Sequence, residues 1–165
     1  MANKTLDDLF YDTLRDIYYA ERRIVKALPK MARGAQDEKL KKAFEKHKEQ
    51  TEEHIERLQE VFELLDKRPR GKTCQAIDGI LDEGEEVLET YKGTPAQDAG
   101  ILAAAQAVEH YEISRYGTLK TWAERLGHDK IVKILDKTLK EESQTDEALT
   151  KLATSQVNAN AQDAA

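Results

Sequence analysis

Apolar residues recur at alternating spacings of three and four in four separate stretches of the chain, the pattern of helices that each bury one stripe. The first stripe is Phe10, Leu14, Ile17, Ile24, Leu28 and Met31; the second is Leu40, Phe44, Leu58, Val61 and Leu65. The third is Leu102, Ala105, Tyr116, Leu119, Ala123 and Leu126, and the fourth is Ile131, Leu135, Leu149 and Leu152. Breaks fall near Gly34, at RPRGK (68–72), at KGTP (92–95), at LGHD (126–129) and after Ala153. Long helices are therefore expected over about 5–33, 37–66, 95–125 and 129–153, with a short one over about 73–90. Thr5 and Asp8 have the spacing of a capping box, and Thr94 with Pro95 suggests a cap followed by a first-turn proline. Pro29 falls inside the first helix, where the missing backbone bond offers a bend or break as the alternative to a continuous helix. Residues 154–165 read as a disordered tail behind one domain over 1–153.

Polar residues interrupt every stripe near its middle. The interruptions are Glu21 in the first, His47, Thr51 and His54 in the second, Glu109 and Glu112 in the third, and Thr138, Glu142 and Thr145 in the fourth. A weak internal repeat brings them to one level. With residues 12–58 laid over 103–149 at an offset of 91, Glu21 falls on Glu112, Thr51 on Glu142, His54 on Thr145 and Leu58 on Leu149. Each half is then a helical hairpin, with Glu21 facing Thr51 and Glu112 facing Glu142. All four helices of an all-α antiparallel bundle contribute to one polar layer.

Four carboxylates at one depth of a dry core cannot all stay ionised without compensation, because burying a single unpaired charge costs several kcal/mol. Two divalent cations would balance them, and carboxylate and imidazole are ligands that iron and manganese accept. Glu21, His54, Glu109, Glu112 and Glu142 are the candidate metal ligands. The alternative is a wide bundle in which Glu109 points to solvent while Glu21 and Glu112 pair with Arg22, Arg115 or a neighbouring lysine.

Composition narrows the functional classes. A net charge of -6 gives no basic surface for nucleic acid. The longest uncharged stretch, AGILAAAQAV, falls far short of the roughly 20 apolar residues of a membrane span, and MANKTLDDLF lacks an apolar signal region, so a cytoplasmic protein is expected. Cys74 is alone and excludes an internal disulfide. No glycine-rich phosphate loop occurs, and the polar layer holds no Ser or Cys to serve as a hydrolase nucleophile.

DIYYAERRIVKALPKMA, HKEQTEEHIERLQEVFELL, CQAIDGILDEGEEVL, AAQAVEHYEISRYGTLKTWAERLG and LDKTLKEESQTDEALTKLA together resemble the YciE/YciF family of bacterial stress-associated proteins, in the ferritin-like superfamily. The resemblance implies a ferritin-like four-helix bundle with an extra short helix between the second and third long ones. It further implies a homodimer, induction under stress and a dinuclear iron or manganese site. Ferritin-like di-iron sites take one Glu from each of two helices and a Glu-x-x-His pair from each of the others. Here Glu109-x-x-Glu112 is similar to the doubled Glu of rubrerythrin-like sites, but the second helix reads Thr51-x-x-His54 and the fourth Glu142-x-x-Thr145. Recruiting Glu49, Glu53 or Glu141 would require a helix to turn about 100° off its seam. The departure leaves open a dinuclear, single-metal or vestigial site.

Among the remaining polar residues, His47 is expected as a hydrogen-bonded core histidine or a supporting donor, and His110 as facing a neighbouring helix or solvent. Tyr18, Tyr19 and Tyr116 can hydrogen-bond ligand carboxylates or simply pack at the core edge. Cys74 reads as a small, partly buried side chain. Three functional classes follow: a redox metalloprotein with oxidase or peroxidase-type chemistry, a metal-sequestering protein, and a metal-free stress protein acting through a helical dimer surface.

Overall fold

Thr5 opens the first helix as its spacing predicts: its hydroxyl accepts from the Asp8 amide while the Asp8 carboxylate accepts from the Thr5 amide. In the computed structural model, which describes residues 3–163, the helices are α1 (Leu6–Gly34), α2 (Glu38–Leu64), α3 (Gln75–Thr90), α4 (Gln97–Arg125), α5 (Asp129–Leu152) and α6 (Asn158–Asp163). A π-helical turn, Ala153–Val157, joins α5 to α6. The described residues contain no strand.

Four long helices form an antiparallel bundle of the ferritin-like kind. Around its axis the order is α1, α2, α5, α4, each packed on the next and α4 closing on α1. The α1–α2 and α4–α5 pairs are hairpins, and Gly127 turns the second with φ 74°, a left-handed conformation that favours glycine. Because α2 and α4 are diagonal, their connection must run the length of the bundle. It carries α3, which lies across α1 and α4. Gly100 lets α3 come close to α4, since a Cβ there would stand 2.5 Å from Val87 Cγ1.

Every apolar stripe faces inward. Phe10, Leu14, Leu58, Val61, Phe62, Leu119, Ile131 and Leu135 fill one end of the core, while Leu28, Met31, Leu40, Phe44 and Leu149 fill the other. Each fully buried side chain of this size contributes about 1.5–3 kcal/mol. The polar layer lies between these two apolar blocks.

The first helix runs unbroken through Pro29 from Leu6 to Gly34, as its stripe predicts, with buried Leu28, Met31 and Ala32 on both sides of the proline. Two local expectations are corrected. Thr94 does not cap α4: its hydroxyl donates to the Tyr91 carbonyl at 2.7 Å, and the helix starts at Gln97 behind Ala96. Gln97 and Asp98 are buried and tie down the α1–α2 turn, Asp98 accepting from the amides of Gln36 at 2.8 Å and Asp37 at 2.6 Å. The stretch expected to be a disordered tail is helical through residue 163, the remaining two residues lying outside those described. Val157 is buried there, and Gln156 donates to Asp37 at 2.5 Å, so the segment closes the end of the bundle that holds the α1–α2 turn.

Candidate metal centre

Heptad-like spacing decides which side chains meet in the layer. His47 and His54 are seven residues apart, two turns on one face of α2, and both are buried. Glu109 and Glu112, three apart on α4, share the facing stripe, with Glu21 of α1 and Glu142 of α5 completing the ring. Of these six, Glu109 is 1% exposed, His47 4%, and the others 0%.

The ligand-type atoms fall into two groups, each within 4.8 Å: His47, Glu109, Glu112 and Glu142 in one, Glu21, His54 and Glu142 in the other. Glu142 belongs to both. All five candidate residues of the sequence analysis are therefore brought together, and His47 joins them. Its signal was its place seven residues before His54 in the same stripe. Glu109 does not reach solvent, and neither Arg22 nor Arg115 forms an ion pair with a layer carboxylate among the described residues.

Distances within the layer are those of ion pairs. His47 Nε2 lies 3.0 Å from Glu109 Oε1 and 3.9 Å from Glu112 Oε2; His54 Nδ1 lies 2.7 Å from Glu142 Oε1 and 3.6 Å from Glu21 Oε1. Yet His47 Nε2, His54 Nδ1, Glu21 Oε2, Glu109 Oε2 and both oxygens of Glu112 and Glu142 make no hydrogen bond. These close approaches are ion pairs of a buried cluster. Leaving such groups unmet in a core costs about 1–3 kcal/mol each, more if charged.

Other groups hold the ligands from outside. Tyr116, fully buried, donates to Glu21 Oε1. His54 Nε2 donates to Glu141 Oε2 at 2.9 Å, which leaves Nδ1 turned into the layer. Arg57 clamps Glu141 through two nitrogens, at 2.5 and 3.1 Å, and donates to Thr138 at 3.2 Å. Glu141 thus sits one residue round the helix from Glu142 and meets the far side of the imidazole, with no rotation of α5. Thr51 and Thr145 take no part: their hydroxyls donate to the carbonyls of His47 and Glu141 on their own helices. Tyr18 accepts from Gln59, Tyr19 donates to Asp78, and exposed His110 meets Asp146.

Charge in the layer is set by burial against mutual attraction. Burial pushes Glu109 up to about 8 in spite of the imidazole of His47, and raises Glu112 well above the usual carboxylate range, with the neighbouring carboxylates adding to the effect. Burial opposes charge on His54, but Glu142 and Glu21 outweigh it and hold its pKa at about 11. His47 is raised in the same way, against burial, by Glu109. For Glu142 and Glu141 burial is outweighed by His54 and Arg57 respectively, and both stay below the usual range.

Cys74 caps α3, is 3% exposed and lies 3.1 Å from the Tyr111 hydroxyl, remote from the layer ligands in its contacts. No described helix is long and apolar enough to cross a membrane.

Residues 5–162 match the family described as a domain of unknown function, DUF892. The chain is 45% identical to Protein YciF of Escherichia coli over 169 residues, covering all of both chains. The crystal structure of that stress protein superposes with a TM-score of 0.90 at 44% identity over 94% of this chain and 99% of the other. YcfI of Rhodopseudomonas palustris superposes with a TM-score of 0.87 at 48% identity, over 89% and 94%. A Xanthomonas campestris protein at 22% identity and a TM-score of 0.73 shares the fold.

Proposed function

The chain belongs to the YciE/YciF family, DUF892, and we propose that its buried layer binds iron or manganese, as one or two divalent ions, in a stress-protein setting carried over from Escherichia coli YciF. The observation that carries this reading is the set of converging, unpartnered carboxylate and imidazole atoms at the centre of an otherwise apolar core. The donor chemistry suits these metals: four carboxylates and two imidazoles, with a net charge that two divalent cations cancel.

Each residue has a part in such a site. Glu142 would serve both ions, His47, Glu109 and Glu112 one side, and Glu21 and His54 the other. Glu141 fixes the His54 tautomer and orients its ring, the outer-shell arrangement that raises ligand basicity, and Arg57 holds Glu141 in turn. Tyr116 occupies one oxygen of Glu21 and leaves Oε2 for the layer. A bound iron or manganese would supply Lewis acidity and a change of oxidation state. The apolar blocks on either side exclude bulk water, so protonation of the layer is governed by its own residues.

The rival reading is a metal-free stress protein, in which protons replace metal. It is favoured by the raised pKa values of Glu109, Glu112 and both histidines, which neutralise the layer without any ion. Metal content by plasma mass spectrometry separates the two, on untagged protein purified without chelator and beside the Glu21→Ala, Glu112→Ala double variant. Near-stoichiometric iron or manganese in the parent, absent from the variant, is expected. An empty parent that takes up neither Fe(II) nor Mn(II) would leave the metal-free reading. If metal is bound, assays of Fe(II) oxidation and peroxide consumption separate turnover from sequestration.

A further inference from the structure

A cleft of about 170 Å³ opens beneath α3, between α1 and α4, with exposed Lys26, Lys30, Asp82 and Glu85 at its rim. Its floor includes Ala27, Met31, Leu81 and Val108. The same four residues line a second, narrower cavity of about 20 Å³ that runs further in and ends on His47 and Glu109. The two cavities are therefore neighbours that share these side chains as walls, the first open at the surface and the second bounded by His47 and Glu109 of the polar layer.

The lining decides what this passage admits. Of the side chains around the inner cavity only His47, Glu109 and Thr145 are polar, and the rest are alanine, isoleucine, leucine, methionine, phenylalanine and valine. A polar molecule entering it would give up hydrogen bonds to water and find no partner until the inner end. A cavity needs roughly 10–15 Å³ to hold one water-sized occupant, so about 20 Å³ passes a small molecule and stops a larger organic one. We infer that dioxygen reaches the His47 and Glu109 side of the layer through this apolar seam under α3, with Ala27 and Val108 lining its junction.

The inference rests on the metal reading for its purpose, though the passage is a property of the metal-free chain. Ala27 on α1 and Leu81 on α3 are half-buried and line both cavities, so enlarging either narrows the space between them from a different helix. Peroxide and water, being polar, are disfavoured along this route, which makes the passage selective between oxidants.

Dioxygen itself tests the passage directly, because it is paramagnetic and shifts and broadens the signals of methyl groups beside it. Metal-free protein labelled at alanine, leucine, methionine and valine methyl groups is titrated with dioxygen pressure, beside Ala27→Leu and Leu81→Trp. Paramagnetic shifts are expected at Met31 and Val108 and, further in, at Ala105 and Leu149, with the inner shifts lost in both variants. Two variants on different helices guard against one of them failing to fold. Shifts confined to the outer cleft, or inner shifts that persist in both folded variants, would overturn the inference. With Fe(II) bound, Ala27→Leu is expected to slow oxidation by dioxygen several-fold at unchanged iron content, and equal rates in parent and variant would also overturn it. Failure to bind iron would defeat the metal reading alone, since the paramagnetic shifts of the metal-free protein decide the passage independently.

Discussion

Raising the pH should weaken the metal-free protein, and the effect traces to Glu109. Burial lifts its carboxyl from 4.5 to about 8, so the folded chain keeps this proton over a range in which the unfolded chain has released it. Stability from this group is fully present below about pH 4.5 and is lost as pH rises through 8. A shift of that size corresponds to about 5 kcal/mol at 1.36 kcal/mol per unit. For a chain of this length 1 kcal/mol moves the midpoint by roughly 2–4 °C, so a fall of about 10–20 °C between pH 5 and 9 follows. His54 acts in the same sense: its contribution is present below 6.5 and fades as pH rises towards about 11. Glu141 and Glu142, whose pKa values are lowered, contribute above 4.5 and lose that contribution only on acidification, outside this window. Metal should reverse the slope, because an ion takes the place of the protons and binds more tightly as they leave. Thermal unfolding by circular dichroism from pH 5 to 9, with chelator and with Mn(II), measures both slopes. Glu109→Gln should make the metal-free profile less steep between pH 5 and 8, with Glu112 and the two histidines carrying the slope that remains. A parent profile that is flat or rising with chelator would refute the idea that burial keeps this carboxyl protonated.

Two further outcomes are expected. Asp98→Ala leaves the Gln36 and Asp37 amides without their acceptor and should cost roughly 2–4 kcal/mol in denaturant unfolding; a loss below about 1 kcal/mol would mean that water serves the turn equally well. His47→Ala should lower metal stoichiometry while Thr51→Val, one turn away with its hydroxyl spent on its own helix, should leave it unchanged; equal metal content in the two variants would remove His47 from the ligand set.

The bundle and the level of its polar layer were legible because they depend on period, and period is carried by many residues at once. The long helices end within a few residues of their expected bounds, and every interruption of the stripes except half-buried Thr145 is buried. What escaped depends on single contacts. Spacing presents Glu141 only as a ligand that a rotated helix could recruit, whereas it receives the outer N–H of His54, a geometry that the spacing along α5 does not state. The start of α4 moved because Thr94 spends its hydroxyl on Tyr91, and the last helical segment forms because Val157 finds a buried place, which a polar composition conceals.

The internal repeat explains the backbone better than it explains the ligands. Superimposing the halves sets His54 on Thr145, so a site obeying the repeat would draw one imidazole from α2 and one from α5. Instead α2 supplies both, from positions seven apart, and Thr145 turns its hydroxyl back to Glu141. The two sides of the layer are consequently unequal: four side chains meet around His47, three around His54, and Glu142 is common to both. The inequality extends outward. The His54 side is closed by Glu141, Arg57 and Tyr116, all engaged in hydrogen bonds, whereas the His47 side abuts the mostly apolar cavity lined by Ala27, Leu81 and Val108. On the proposed metal reading, the hydrogen-bonded side would keep an ion and the side beside the apolar cavity would meet a small molecule, an asymmetry that follows from α2 supplying both imidazoles while Thr145 bonds to its own helix.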